Sequence, residues 1–304
     1  MKTVLITGAT GFIGSNITRS LIVNGYRVYA THRNSSNFKR CKDFYDSIQW
    51  INTGNDNWQE VFSNIKVDTL IHTAWQGVST KERDNWEVQL LNFSFSKEIY
   101  EFARLIGTKK IITLGSQAEY GIYTKKVNED FTPFPINAYG SVKLLTLFFL
   151  RNFSINKKID WYWIRVFSVF GTNENENWLL PGVIKNLLKG NPVELTEGRQ
   201  KYDYLHSDEF VKNLFKVIEC DSNNSGIYNL CSGIAIEIRT LLTKLSQHLP
   251  HSEHLLKFES IPYRKSQNMY MVGDNSKFES IFGNIDRDNI DSNLQKTINL
   301  YKEM

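Results

Sequence analysis

The feature that most narrows what this chain can fold into lies at its start. The apolar, β-branched run Thr3–Thr7 leads directly into Gly8-Ala9-Thr10-Gly11-Phe12-Ile13-Gly14, and an amphipathic stretch continues to about Val23. A strand, a glycine turn and a helix in that order leave free backbone N–H groups and the positive end of a helix dipole facing one point, where an anion is stabilised. Gly8 suits the tight turn, Gly11 lets the backbone approach a pyrophosphate, and Gly14 lets helix and strand pack closely. The segment therefore predicts a dinucleotide site built from Gly8, Thr10, Gly11, Phe12, Ile13 and Gly14.

The rhythm beyond it agrees. Short apolar runs at Thr3–Thr7, Arg27–Thr31, Ile48–Asn52, Thr69–Thr73, Lys110–Leu114 and Trp161–Phe167 alternate with helical stretches, notably about Lys81 to Ile106 and Asn137 to Asn152. Such alternation implies right-handed crossovers and an α/β fold, a Rossmann-type doubly wound parallel sheet. At about 150 residues per domain, 304 residues allow two parts. Residues 1–170 are expected to form the dinucleotide-binding domain. Beyond Gly171 the pattern loosens, with one clear helix over Leu180 to Lys189, so 171–304 is expected to be a smaller α/β substrate-binding region, with chain crossings back to the first domain.

Composition excludes several classes. Lys+Arg 36 against Asp+Glu 32 leaves a net charge of +4, a poor electrostatic footprint for nucleic acid, and Trp161 and Trp163, alternating on a strand, read as packing. No window is apolar enough to cross a membrane. Cys41, Cys220 and Cys231 lack metal-ligand spacing and read as reduced thiols, so no metal is expected, and the chain reads as soluble and cytoplasmic.

The second strand carries the cofactor choice. An acidic residue at its end usually holds the ribose hydroxyls of NAD, but this chain reads Thr31-His32-Arg33-Asn34-Ser35-Ser36. Arg33, with Ser35 or Ser36, suits a 2′-phosphate by its forked donor geometry, which favours NADP(H) over NAD(H).

Tyr139-Gly140-Ser141-Val142-Lys143 follows Asn137, a good helix N-cap, and puts a phenol and an ammonium on one helical face. A unit charge about 5 Å away at an effective dielectric near 20 is worth roughly 3 kcal/mol, about two pKa units, enough to make the tyrosine a general acid or base. Ser116 is placed just beyond the fifth strand, at the carboxyl edge of the sheet where ligands of such folds bind.

With these pieces assembled, the chain resembles an extended short-chain dehydrogenase/reductase, in the NAD(P)-dependent branch of nucleotide-sugar epimerases, dehydratases and reductases. The resemblance rests on TGATGFIG and YGSVK, with Ile71-His72-Thr73-Ala74, Asn92, Arg165 to Gly171, Tyr202 to Glu209 and Tyr228-Asn229-Leu230 as weaker signals over essentially the whole chain. It implies Ser116, Tyr139 and Lys143 as the catalytic trio, with Tyr139 and Lys143 also touching the cofactor. Thr73 and Ala74 would line the cofactor, and the C-terminal half would grip the sugar nucleotide. Related dehydratases carry an Asp-Glu pair where this chain has Gln117 and Ala118, which argues against dehydration. Glu119, one step later, reads as a carboxylate that orders the Tyr120-Gly121 turn. Together with Arg33 this favours NADPH-dependent reduction of a 4-keto-6-deoxy nucleotide sugar over an NAD-dependent epimerase or a non-catalytic dinucleotide sensor. Gln117, Arg199 and Arg264 are the candidates for substrate contact, although Tyr202 and Ser168 depart from the Arg and Asn common in relatives. Relatives pair through their long helices, so a homodimer is expected.

Overall fold

The computed structural model describes residues 2–221, 223–264 and 267–303. The chain begins with β1 (Thr3–Thr7), α1 (Phe12–Val23), β2 (Arg27–His32), β3 (Gln49–Asn52), the short α2 (Trp58–Val61) and β4 (Thr69–His72). It continues with α3 (Trp86–Leu105), β5 (Lys110–Ser116), α4 (Ala138–Lys157), β6 (Asp160–Val166), β7 (Ser168–Phe170), α5 (Leu179–Leu188), β8 (Val193–Glu194), β9 (Lys201–His206) and α6 (Ser207–Glu219). The last elements are β10 (Gly226–Leu230), β11 (Ala235–Glu237), α7 (Ile238–Gln247), β12 (Leu256–Lys257), β13 (Tyr270–Met271), α8 (Ser276–Phe282) and α9 (Ile290–Lys302).

The contacts divide the chain into two compact units, 1–121 with 131–166 and 214–229, and 122–130 with 167–213 and 230–304. In the first, seven strands follow the order β10-β6-β5-β4-β1-β2-β3, with β1 to β6 paired in parallel. The reversal of strand order between β1 and β4 is the switch point of a doubly wound Rossmann-type sheet, the fold expected from the alternation of elements. Leu5, Leu70, Ile111 and Trp163 from the strands pack with Ile99, Phe102 and Ala103 of α3 and Leu147, Leu150 and Phe153 of α4. Trp161 and Trp163 both belong to this core. Lys110 reaches across to donate to the carbonyls of Val217, Ile218 and Cys220 at 3.2, 2.9 and 2.5 Å, capping the end of α6.

Helix boundaries differ from the sequence pattern in two informative places. α3 starts at Trp86 because the Asn85 side chain caps it, accepting from the Val88 N–H at 3.2 Å, so residues 81–84 are turn. α4 runs past Asn152, whose Nδ2 bonds back to the Phe148 carbonyl at 3.2 Å, and ends only where Lys158 turns left-handed.

In the second unit β9 pairs with β7, β11 and β13. A separate core joins Leu180, Ile184 and Leu187 of α5, Leu241, Leu242 and Leu245 of α7, and Leu294 and Ile298 of α9. Asp203 on β9 accepts from Ser232 N, Ser232 Oγ and Gly233 N at 2.7, 2.7 and 2.8 Å, which pins the loop after β10; burial pushes its carboxyl up to about 6.

His72, buried at the end of β4, joins three elements. Ser96 spends its one hydroxyl hydrogen on the Asn92 carbonyl at 2.7 Å, so the imidazole Nε2–H donates to Ser96 Oγ at 2.9 Å. Nδ1 then accepts the Thr7 hydroxyl at 2.8 Å, which leaves Thr7 Oγ1 to accept from the Thr73 and Ala74 N–H groups at 3.2 Å each. The relay requires a neutral ring, and burial drives its pKa down to about 3. A histidine whose folded pKa lies below its unfolded value adds stability that is present above about 6.5 and lost as pH falls towards 3, at about 1.4 kcal/mol per pH unit. Replacing His72→Gln should flatten urea-measured stability against pH by about that slope between 6.5 and 3; identical slopes for variant and wild type would show that the ring titrates freely.

Candidate active site

Gly8 takes φ +75 at the end of β1, and the Gly11 N–H closes the turn on the Gly8 carbonyl at 2.9 Å. A Cβ on Gly14 would sit 2.0 Å from that carbonyl, so only hydrogen lets α1 start this close to β1. Gly11 offers no capping side chain and the first turn of α1 holds no acidic residue, which leaves its N–H donors and dipole available. Thr73 Oγ1 donates to the Thr7 carbonyl at 2.7 Å and packs, with the Ala74 backbone, against Gly8. Thr10 and Ile13 are half-buried along the same turn. This turn, with the free N–H donors at the start of α1, fits a dinucleotide pyrophosphate.

Arg33 stands exposed just past β2, with its N–H on Ser36 Oγ at 2.9 Å, and among the described residues its guanidinium has no carboxylate partner. Beside it the Asn34 side chain accepts from Asn52 Nδ2 at 2.8 Å. No acidic residue ends β2.

Ser116 is the last residue of β5 rather than a residue beyond it, and it caps the turn Gln117–Tyr120. Its Oγ accepts from Ala118 N at 3.1 Å, and the Glu119 carboxylate reaches back to the Ser116 N–H at 2.7 Å, a reciprocal box that satisfies two otherwise orphaned donors. Glu119 does more than order the turn. Fully buried, it also accepts from Trp163 Nε1 at 2.9 Å and pairs with the buried Arg165 Nε at 2.8 Å. A carboxylate committed in this way has no freedom to act as an acid or base. Gln117 opens the turn and is only partly covered.

α4 brings Tyr139 and Lys143 to the Ser116 turn, helped by Gly140, where a Cβ would meet the Ala118 carbonyl at 2.5 Å. Ser116, Tyr139 and Lys143 are all buried, and the nearby Ser116 hydroxyl favours the ionised form of the Tyr139 phenol. The electrostatics differ from the expectation that Lys143 lowers the phenol pKa. The Lys143 ammonium donates to the Leu114 carbonyl at 2.7 Å and lies 3.6 Å over the Trp75 ring, but 5.9 Å from the Tyr139 ring centre. Burial pulls Lys143 down to about 7. Tyr139 itself is raised above its ordinary value, chiefly by burial, and the cation opposing that rise is Arg83, whose guanidinium carbon is 4.9 Å from the ring centre. Arg83 and Trp75 have no signal in the linear motifs; the helical pattern placed Arg83 inside α3, and only the Asn85 cap shows that it belongs to a turn.

The remaining candidates lie in the second unit. Arg199 is exposed and ion-paired with Glu197, and its N–H donates to Tyr263 Oη at 2.9 Å. Arg264 is exposed. Tyr202 donates to the Asn268 carbonyl at 2.7 Å and accepts from Gln267 Nε2 at 2.6 Å. Among the described residues, no helix is long and apolar enough to cross a membrane.

A family model described as the NAD dependent epimerase/dehydratase family matches residues 4–231. A dTDP-6-deoxy-L-talose 4-dehydrogenase (NAD(+)) of Aggregatibacter actinomycetemcomitans is 24% identical over 286 residues, covering 89% of this chain and 98% of the relative. A GDP-6-deoxy-D-talose 4-dehydrogenase of the same organism is 24% identical over 293 residues, covering 92% and 91%. The crystal structure of UDP-glucuronic acid 4-epimerase from Bacillus cereus, in complex with UDP-glucuronic acid and NAD, superposes with a TM-score of 0.86 at 20% identity, covering 99% of each chain.

Breaking a buried ion pair by removing one partner leaves an uncompensated charge and costs roughly 3–5 kcal/mol. Glu119→Ala should therefore lower urea-measured stability by about that amount, and the joint replacement Glu119→Leu with Arg165→Met should lose less than Glu119→Ala alone. A single variant that loses under about 1 kcal/mol would mean that Arg165 finds water instead.

Proposed function

Because the chain belongs to the NAD dependent epimerase/dehydratase family, whose members include nucleotide-sugar 4-dehydrogenases, we propose that it reduces the 4-keto group of a 6-deoxy nucleotide sugar with NADPH. The observation that carries this reading is a buried phenol, its pKa raised by that burial, beside the Ser116 turn, with no free carboxylate on the same turn. A 4-dehydrogenase of a 6-deoxytalose nucleotide, run in reverse from the 4-ketone to the alcohol, is this reduction in chemical terms, so both relatives support the substrate class.

Bound NADPH would supply the hydride to the carbonyl carbon. Tyr139 gives its proton to the carbonyl oxygen, and the raised phenol pKa keeps that proton in place at neutral pH, as reduction requires. Ser116 hydrogen-bonds the same oxygen and stabilises the charge that develops on it. Lys143 holds the ribose hydroxyls. Gly8, Thr10, Gly11, Phe12, Ile13 and Gly14 cradle the pyrophosphate, Thr73 and Ala74 line the cofactor, and Arg33 takes the 2′-phosphate. Gln117, Arg199 and Arg264 are assigned to the sugar nucleotide. Gln117 and Ala118 cannot move a proton and Glu119 is locked in its ion pair, which disfavours elimination of water.

Leu91 and Leu105 of α3 and Leu145, Phe148 and Ile155 of α4 are exposed apolar side chains on helices that pack together, and we assign the homodimer contact to them. Light scattering at micromolar concentration should give twice the chain mass of 35.3 kDa, and a single-chain mass would remove the assignment.

The activity is tested with purified protein, NADPH or NADH, and a panel of 4-keto-6-deoxy nucleotide sugars, followed at the nicotinamide absorbance. NADPH should be oxidised, Tyr139→Phe should lose about 10²–10⁴-fold in rate at nearly unchanged cofactor affinity, and Arg33→Ala should raise the NADPH KM by about tenfold without affecting NADH. Epimerisation of an unmodified nucleotide sugar, with no net oxidation of either cofactor, overturns the reductase reading; equal use of NADH and NADPH by the wild type removes the 2′-phosphate role of Arg33.

A further inference from the structure

One polar cluster in the second unit has no part in the reduction described above. β7 ends just before Gly171, whose backbone takes φ +146, and a Cβ there would fall 2.5 Å from Ser207 Oγ and 3.1 Å from His206 Nε2. Both atoms therefore close on one point, from the junction of β9 and α6. Glu174 stands one turn beyond Gly171, with its N–H on the Gly171 carbonyl at 3.4 Å. His206 and Ser207 are 1% and 2% exposed, and the Phe170 ring packs edge-on to the imidazole with centres 5.3 Å apart. Among the described residues, Glu174 Oε2, His206 Nε2 and Ser207 Oγ are sealed from solvent without a hydrogen-bond partner. Three such atoms around one glycine call for an occupant, because buried polar groups are nearly always paired.

The hydrogens on these groups define what they can hold. His206 Nδ1 accepts the Asp208 N–H at 3.3 Å, so the neutral ring carries its hydrogen on Nε2 and presents a donor. Burial lowers the imidazole and keeps it neutral, and burial pushes the Glu174 carboxyl up to about 8, so that group also keeps its proton at neutral pH. Glu174 and His206 thus offer donors, and Ser207 Oγ can accept. A hydroxyl group accepts two hydrogen bonds and donates one, which matches this trio with no net charge on either side. An anion fits poorly, since Asp208 and Glu209 stand in the first turn of α6. A metal ion fits no better, because among the described residues no three His, Cys, Asp or Glu side chains come together to hold one. We propose that Glu174, His206 and Ser207 form a buried subsite for one hydroxyl group of the sugar nucleotide, carried on its sugar or on its ribose. The inference rests on the reading of a sugar nucleotide as substrate, to which Arg199 and Arg264 of the same unit are also assigned.

The test is calorimetric binding to the full chain, with no turnover involved. UDP, GDP and CDP are each compared with the 2′-deoxy nucleotide, and the glucose conjugate of the tightest binder is compared with its 2-deoxyglucose and 3-deoxyglucose analogues. In one of these pairs the missing hydroxyl should cost the wild type about tenfold in Kd, and that pair identifies whether ribose or sugar supplies the group. Ser207→Ala and Glu174→Leu should each cut the ratio to within about twofold, whereas Glu174→Gln, which keeps a neutral donor and acceptor, should hold it. Residues with a structural role alone would weaken both members of a pair alike and leave the ratio unchanged. Equal binding of every pair by the wild type, or a ratio that survives Ser207→Ala or Glu174→Leu, overturns the subsite and leaves water as the occupant of the cluster. Loss of the ratio in Glu174→Gln as complete as in Glu174→Leu overturns it as well. Binding of no nucleotide or conjugate at all overturns the substrate class together with the subsite. Should the hydroxyl ratio behave as expected while no keto sugar is reduced, the reductase reading fails on its own.

Discussion

The candidate site depends on one buried ion pair. Arg165, on the strand next to β5, and Glu119, one turn beyond the end of β5, are both sealed from solvent, and Glu119 also takes the Trp163 indole and the Ser116 N–H. A buried pair of this kind is a poor source of net stability, because desolvating two charges consumes most of their attraction. Its effect is geometric. It ties the turn that carries the Ser116 hydroxyl to a core strand at several points, so the hydroxyl cannot drift away from the phenol that α4 presents to it.

The same turn fixes α4. Because Gly140 has no side chain, the helix approaches the Ala118 carbonyl closely enough to set Tyr139 beside the Ser116 turn. On the other side the Arg83 carbonyl takes the Tyr139 N–H, so the residue is held by its backbone from one segment and packed against the Ser116 turn on the other. Two-sided restraint of this kind suits a proton donor, since the rate of proton transfer depends on holding donor and acceptor within hydrogen-bond reach.

Much of the architecture was legible in the linear chain. The glycine turn, the order of the first six strands and the parallel sheet followed from the alternation of short β-branched runs with helical stretches, and β1 falls exactly on the run Thr3–Thr7. Motif spacing also anticipated the meeting of Ser116, Tyr139 and Lys143 in one neighbourhood. What spacing could not supply was direction. Tyr139 and Lys143 share a helical face, yet the lysine chain is long enough to turn its ammonium to a carbonyl on β5 and the face of Trp75. Arg83 and Trp75 were hidden because they act through tertiary contacts, and the depth of Glu119 because its partner lies 46 residues on, at Arg165.

The state of Lys143 carries the argument one step further. Burial lowers it from 10.5 to about 7, a displacement worth on the order of 5 kcal/mol against folding below pH 7, which shrinks as pH rises towards 10.5. That is comparable to the whole net stability of a small domain, roughly 5–15 kcal/mol. A leucine at this position would pack against the same neighbours without the penalty, so the ammonium makes sense only for a partner that the protein alone does not provide. One carbonyl and one indole face leave donors of the ammonium unsatisfied, and a ligand presenting vicinal hydroxyls would accept from them and restore the charged form.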